Sequence, residues 1–254
     1  WNELEAVGAI FFPAAGMRKG NVTSEVNQNG YYWSTDILLP EGGACEMWFG
    51  MQYANYNPGI SGAFSRHNGI SVRLACDTIV PEEMYVEKNL PGYFSVGENK
   101  HVKFSQGNLQ YRASIDTWRF ANEQYDIIGQ DNNNISSTYD GWIDLFGWGT
   151  SGYNEKYPWM ISTNELDYDN GANNIAYTEY DWGKHNPIIN GGNKAGLWRT
   201  LSSKEMNYIF YGRTNADKLY AMCVVNGVHG LVVFPDNCTI PTHIPFTPAY
   251  KEFT

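Results

Sequence analysis

The sequence predicts an α+β fold of short antiparallel strands, few helices and a large loop content. Three observations carry this. Short apolar or alternating runs recur along the chain, each stopped by Gly, Pro, Asn or Asp, which is the punctuation of strands and turns. One segment, "WRTLSSKEMNYIFYGR", carries a full set of helix signals. Residues 130–189 are rich in Asn, Asp, Gly and Tyr, a long loop-like stretch through which Trp142, Trp148, Trp159 and Trp182 are spaced. A stretch of that length without regular elements is either functional or packed on itself, and the tryptophans favour packing.

The elements follow in order. Trp1 to Val7 reads as one helical turn, with Trp1 and Leu4 on one face and Gly8 able to end it in the left-handed region. "AIFFPAAG" reads as a buried strand stopped by Pro13 and Gly16. "NQNGYYWSTD" is a turn feeding an aromatic strand that places Trp33 in the core. In "ACEMWFGM" the period-two alternation puts Met47 and Phe49 on one side and Glu46 and Trp48 on the other. A polar loop with Tyr53, Tyr56 and Phe64 follows, and "ISVRLA" closes this part as a strand. Residues 77–91 form a mildly acidic linker with Asp77, Glu82, Glu83 and Glu87 and no clean period. "HVKFSQGNLQYR" reads as one strand or a hairpin turning at Gly107, and "TWRFANEQYDIIG" as a strand and a short helical turn. Ser202 and Glu205 spell a capping box, Met206, Ile209 and Phe210 make a buried helix face, and Gly212 sits where a C-terminal cap belongs. "KLYAMCVVNGVHGLVVF" reads as a hairpin around Asn226-Gly227, the dipeptide that accepts two positive φ angles.

Bulk properties exclude several functions. The chain has 254 residues, enough for one large or two small domains, and 43% hydrophobic residues, enough for a core. A net charge of -10 repels a phosphate backbone, so nucleic acid is not an expected partner. No apolar run is long enough for a transmembrane helix. Only 17% of residues are charged against 15% aromatic, so polarity rests on Asn, Ser, Thr, Gly and Tyr. That balance suits an extracellular, turn-rich protein with aromatic contact points. Trp1 stands where a Met would begin a gene product, so the expectation is a processed or trimmed fragment, with the loss of a leader or lipid anchor left open. Cys45, Cys76, Cys223 and Cys238 form no CxxC; a Cys223–Cys238 bridge across the hairpin and four buried thiols both remain open.

Several segments carry a resemblance. "LEAVGAIFFPAAGMR", "YWS" and "SVRLA" occupy the first part of the chain. "GYFSV", "FSQGNLQY", "WRFA", "ISSTYDGWIDLFGWGTSGYN", "DYDNG", "YDWG", "NPIINGGN", "WRTL" and "NGVHGL" run from Gly92 towards Asp236. Together they resemble a lectin-like family of Bacteroidetes surface proteins that includes the Fibrobacter succinogenes major paralogous domain. The resemblance implies a C-type lectin-like fold, akin to that of formylglycine-generating enzymes, and a secreted or cell-surface location. In that family "GYFSV" comes first and "SVRLA" last; here the order is reversed. The chain is therefore expected to be a single lectin-like domain in permuted order, with 1–76 as the C-terminal-type segment, 77–91 as linker and 92–254 as the N-terminal-type segment. A cut from a tandem array is the alternative. Permutation requires the Ile70–Ala75 strand to lie beside the His101–Phe104 strand.

Catalytic signals are weak. No G-x-S-x-G elbow is present, and none of the five histidines has a metal partner at helical spacing. The cysteine-pair motifs of formylglycine-generating enzymes are missing, so no enzymatic activity is expected. Calcium is a candidate cofactor at "LDYDNGANN", where Asp167, Asp169, Asn170 and Asn173 offer oxygens around a glycine; the competing reading is that they are turn formers. The lectin-like resemblance places a ligand site in the loops before the final strand, Asp36 to His67. Candidate ligand-binding residues there are Trp48, Tyr53, Asn55, Tyr56, Asn57, Phe64, Ser65, Arg66 and His67: aromatic faces for apolar sugar or protein surface, amide and guanidinium groups for directional bonds. This part also resembles the variable region of proteins diversified by retroelements. The expected function is recognition or adhesion towards a protein or glycan. The alternatives are a structural or tip module of a surface appendage and a drifted enzyme of the formylglycine-generating lineage.

Overall fold

The computed structural model describes residues 1–38, 42–50, 58–78, 91–171, 174–236 and 238–248. The fold is α+β, with small antiparallel sheets, few helices and long loops. After the helical turn α1 (Asn2–Ala6), strand β1 (Ile10–Pro13) begins the chain's first sheet. Its partner is remote: β1 pairs with β13 (Val228–Val233), which pairs in turn with β12 (Tyr220–Val225). The β12–β13 hairpin turns at Asn226 (φ 52) and Gly227 (φ 80), the two positive angles its sequence requires. The short ribbon β2 (Met17–Lys19) and β3 (Val22–Ser24) leads into β4 (Asn29–Leu38), which pairs with β5 (Gly43–Gly50) and, through it, with β6 (Gly59–Phe64).

The β4–β5 ribbon divides two cores. Met47 and Phe49 of β5, with Tyr32 of β4, enter a cluster holding Ile10, Phe12, Phe94, Phe104, Phe210 and Leu231. Trp33 and Ala44 enter the other, with Ile70, Val72, Leu74, Phe146, Trp148 and Trp182. Alternation along one strand thus serves two apolar compartments, because successive side chains point to opposite faces. Trp148 and Trp182 are fully buried and pack the long 130–189 stretch, while Trp142 and Trp159 are only half-buried.

The "ISVRLA" segment is not the regular strand its sequence suggests. It threads between elements instead, exchanging hydrogen bonds with Phe146, Tyr31, Trp33, Leu109 and Ser105 in succession. Only its end, β7 (Ala75–Asp77), is a strand, and it pairs antiparallel with β9 (Lys100–Phe104), which also pairs with β8 (Phe94–Gly97). Of the Ile70–Ala75 segment only Ala75 lies in this pairing, opposite Phe104, and the pairing runs on to Asp77. Asp77, read as linker, belongs to this strand and pairs with Arg199 at 2.7 Å. Residues 79–90 lie outside the described residues.

Three other local readings need correction. "HVKFSQGNLQYR" is not a hairpin: β9 and β10 (Leu109–Arg112) enter different sheets, β10 pairing with β11 (Thr117–Phe120). No helical turn follows β11 directly; a 3-10 segment comes later, at Gly129–Asn134. The capped helix α3 (Ser203–Asn207) has its full capping box but then widens into a π turn, Tyr208–Gly212, before reaching Gly212. Helix α2 (Trp182–His185) is capped by the Asp181 carboxylate, which also accepts from the Thr200 N–H and hydroxyl.

A buried polar relay ties the two sequence segments together. Arg73 is 1% exposed; its Nη2 donates to Gln124 Oε1 at 2.7 Å, and Gln124 Nε2 donates to Glu5 Oε1 at 2.9 Å. Arg73 Nη1 also donates to the Phe11 carbonyl and to Asn108 Oδ1. Burial lowers the guanidinium to about 10, yet it stays charged at neutral pH, with Glu5 as the carboxylate at the end of the relay.

Candidate functional site

The β4–β5–β6 sheet presents one face built from aromatic rings around a carboxyl group. Register aligns Tyr31, Trp48 and Gly59 across the three strands, and Trp33, Glu46 and Ser61 two residues along. Cross-strand partners share a face, so these six positions form one patch. Phe64 folds over it, stacked on Tyr31 at 5.5 Å between centroids and edge-on to Trp33 at 5.7 Å. Gly59 lies beneath the Trp48 indole; a Cβ there would come within 2.5 Å of the ring, so only glycine lets the indole lie flat on β6. Tyr31, Trp48 and Phe64 are half-buried, while Trp33 is fully enclosed and donates from Nε1 to the Phe146 carbonyl.

Glu46 sits among these rings at 3% exposure. Ser61 lies opposite it on β6, and Oε2 is buried with no hydrogen-bond partner among the described residues. Burial pushes the group up to about 8, against the lowering effect of its own backbone N–H and of Ser61. At neutral pH it is therefore largely a neutral acid, able both to donate and to accept. A buried polar atom left unmatched in a native protein calls for an explanation, and a ligand is one.

The structure distributes the other expected site residues. Tyr53, Asn55, Tyr56 and Asn57 lie outside the described residues. Trp48 and Phe64 belong to the aromatic face, and Ser65 follows it half-buried. Arg66 and His67, also candidate ligand contacts, both turn inward. Arg66 donates from its backbone N–H to Glu165 Oε1 at 2.6 Å and pairs with Asp169 Oδ1 at 3.4 Å, and His67 Nδ1 lies 2.8 Å from Glu165 Oε2. They staple residues 165–169 to the end of β6.

The same contacts engage two of the calcium candidates. Asp169 commits one oxygen to the Gly171 N–H and to Arg66, which hold it below the usual carboxylate range. Asp167 accepts from Ser162 Oγ and from Asn164 Nδ2. Asn170 lies against Gly149, and Asn173 is outside the described residues. Both carboxylates shape turns, and Asp169 also receives a guanidinium; among the described residues no three His, Cys, Asp or Glu gather as metal ligands. The four cysteines are free thiols, and burial raises each above the ordinary thiol value. They lack the thiolate character that cysteine chemistry needs.

Tyr31, Trp33 and Glu46 complete the site but fall outside the residues that motif reasoning selects. The signal was present: period-two alternation places Glu46 beside Trp48 on β5, and Tyr31 beside Trp33 on β4. A second aromatic surface lies in the long loop, where Tyr157 stacks on Trp159 at 4.6 Å and Tyr153 meets Tyr180 edge-on. Comparison of the chain with family models, with curated proteins and with solved structures gives no significant match.

Proposed function

We propose that the protein is an extracellular recognition domain that receives a protein or glycan ligand on the β4–β5–β6 aromatic face. The observation that carries this reading is Glu46: a buried carboxyl whose Oε2 has no hydrogen-bond partner among the described residues, on the sheet face that also carries Tyr31, Trp33 and Trp48. Ring faces take the apolar side of a sugar or a side chain, and the neutral acid adds one directional hydrogen bond. Glu46, Trp48 and Phe64 of this face lie in the segment where the lectin-like resemblance expects ligands. The low charge and high aromatic content of the chain fit the same use. The inward-turned Arg66–His67 staple supports the site from behind rather than contacting a ligand.

A glycan and surface-protein array tests the proposal. Wild type should give a defined set of hits, and Trp48→Ala and Glu46→Leu should each lose them. Hits retained in full by both variants would move binding off this face. Hits lost instead with Tyr157→Ala would assign it to the loop surface.

A further inference from the structure

A second cavity, of about 360 Å³, lies away from the aromatic face, between β8, β9 and the π turn after α3. Its walls include Ser95, His101, Tyr208, Arg213, Thr214 and Asn215. The π turn makes the cavity. Its wide bond runs from the Arg213 N–H to the Tyr208 carbonyl at 3.0 Å, and Asn215 then turns the chain at φ 56. Such single π turns are enriched at functional sites.

Arg213 is the unusual group here. Its side chain is 1% exposed. Nε donates to the Ile209 carbonyl at 2.7 Å; Nη1 donates to the Phe234 carbonyl at 2.7 Å and to Asp236 Oδ1 at 3.1 Å. Nη2 is buried and has no hydrogen-bond partner among the described residues. Asp236 cannot serve it further, since its other oxygen accepts from the Ser95 N–H and hydroxyl. Arg199 of the same protein shows the completed form of such a group. Its guanidinium lies between two carboxylates, Asp77 at 2.7 Å and Glu205 at 2.9 Å, with Nη2 shared by both. Arg213 has one carboxylate and an unused nitrogen beside a cavity. The walls around it are rich in donors: the Tyr208 and Thr214 hydroxyls and the Asn215 amide.

We infer that this cavity is a second binding site, for a small monocarboxylate whose oxygens complete the Arg213 fork. A planar carboxylate matches the guanidinium edge, and a single negative charge limits repulsion from Asp236. The site is independent of the aromatic face.

NMR titration of the whole chain with acetate tests this, with acetamide as the neutral shape control and inorganic phosphate as the dianion control. Acetate should give saturable shifts at the amides of Ser95, Thr214, Asn215 and Asp236 and at the Arg213 Nε–H. An affinity in the millimolar range is expected for so few ligand atoms. Acetamide should leave these signals in place, and phosphate should bind more weakly than acetate. Arg213 also supports two backbone carbonyls, so the deciding variant is Tyr208→Phe combined with Thr214→Val, which removes two donors and keeps the guanidinium. It should weaken acetate by about tenfold, the scale of two lost hydrogen bonds. The inference fails if shifts do not saturate or scatter over the surface, if acetamide or phosphate matches acetate, or if the double variant binds acetate as wild type does.

Discussion

Glu46 is the residue on which the chemistry of the aromatic face turns, and its protonation has a measurable sign. Its folded-state value, about 8, lies above the ordinary glutamate range. The folded protein therefore holds this proton more tightly than the unfolded chain. The associated stability is fully present below the unfolded value and is lost as pH rises through about 8. Glu46→Gln keeps the shape and removes the titration. Denaturant unfolding of the two proteins from pH 5 to pH 8.5 should show wild type losing stability relative to the variant. A tenfold difference in proton affinity between the folded and unfolded chain corresponds to about 1.4 kcal/mol, so the loss should be of at least that order. A constant difference across that range would mean that the carboxyl is not held neutral. Sequence alternation was enough to set Glu46 beside Trp48. It could not show that Arg66 and His67 turn inward, because their partner Glu165 lies 99 and 98 residues away. A polar residue at the end of a strand reads the same whether it meets water or a distant carboxylate.

At the scale of elements, local chemistry was legible and strand partnership was not. The capping box at Ser202 and Glu205 and the Asn226-Gly227 turn depend on residues a few positions apart, and both are present as read. Which strands pair depends on chain closure over long distances, so β9 and β10 read as one strand or a hairpin yet belong to different sheets. The π turn was illegible for a similar reason: its apolar residues satisfy ordinary helical spacing, and packing against β8 accompanies the wider turn. Two substitutions test these elements. Gly227 has nothing within 4 Å of where a Cβ would stand, so Gly227→Ala costs only the strain of the left-handed backbone. Chemical denaturation should register a loss of about 1 kcal/mol, near the lower end of that conformational cost. Ser202→Ala should lose a comparable ~1 kcal/mol by leaving the first turn of α3 uncapped. If Gly227→Ala unfolds the protein outright, the turn is not the open one seen here.

At the scale of the whole molecule, the first part of the chain and the part after residue 91 are interlocked. β1 lies against β13, β7 against β9, and Arg73 reaches Gln124 and Asn108. Both cores draw residues from both parts. A protease site introduced between residues 79 and 90 should, once cut, leave two pieces that co-elute in native size exclusion and separate only in denaturant. Separation under native conditions would contradict the interlock. The aromatic face depends on it, since Trp33 is held by Phe146 and β6 is stapled to residues 165–169. The most direct test of a recognition role for this face is the dissociation constant of the strongest array ligand for wild type, Trp48→Ala and Glu46→Leu, with Tyr157→Ala as the control. Loss of binding of about tenfold or more in the first two variants, the scale of an interface hot spot, with the control unchanged, is the predicted result. Equal affinity in all four proteins would contradict it.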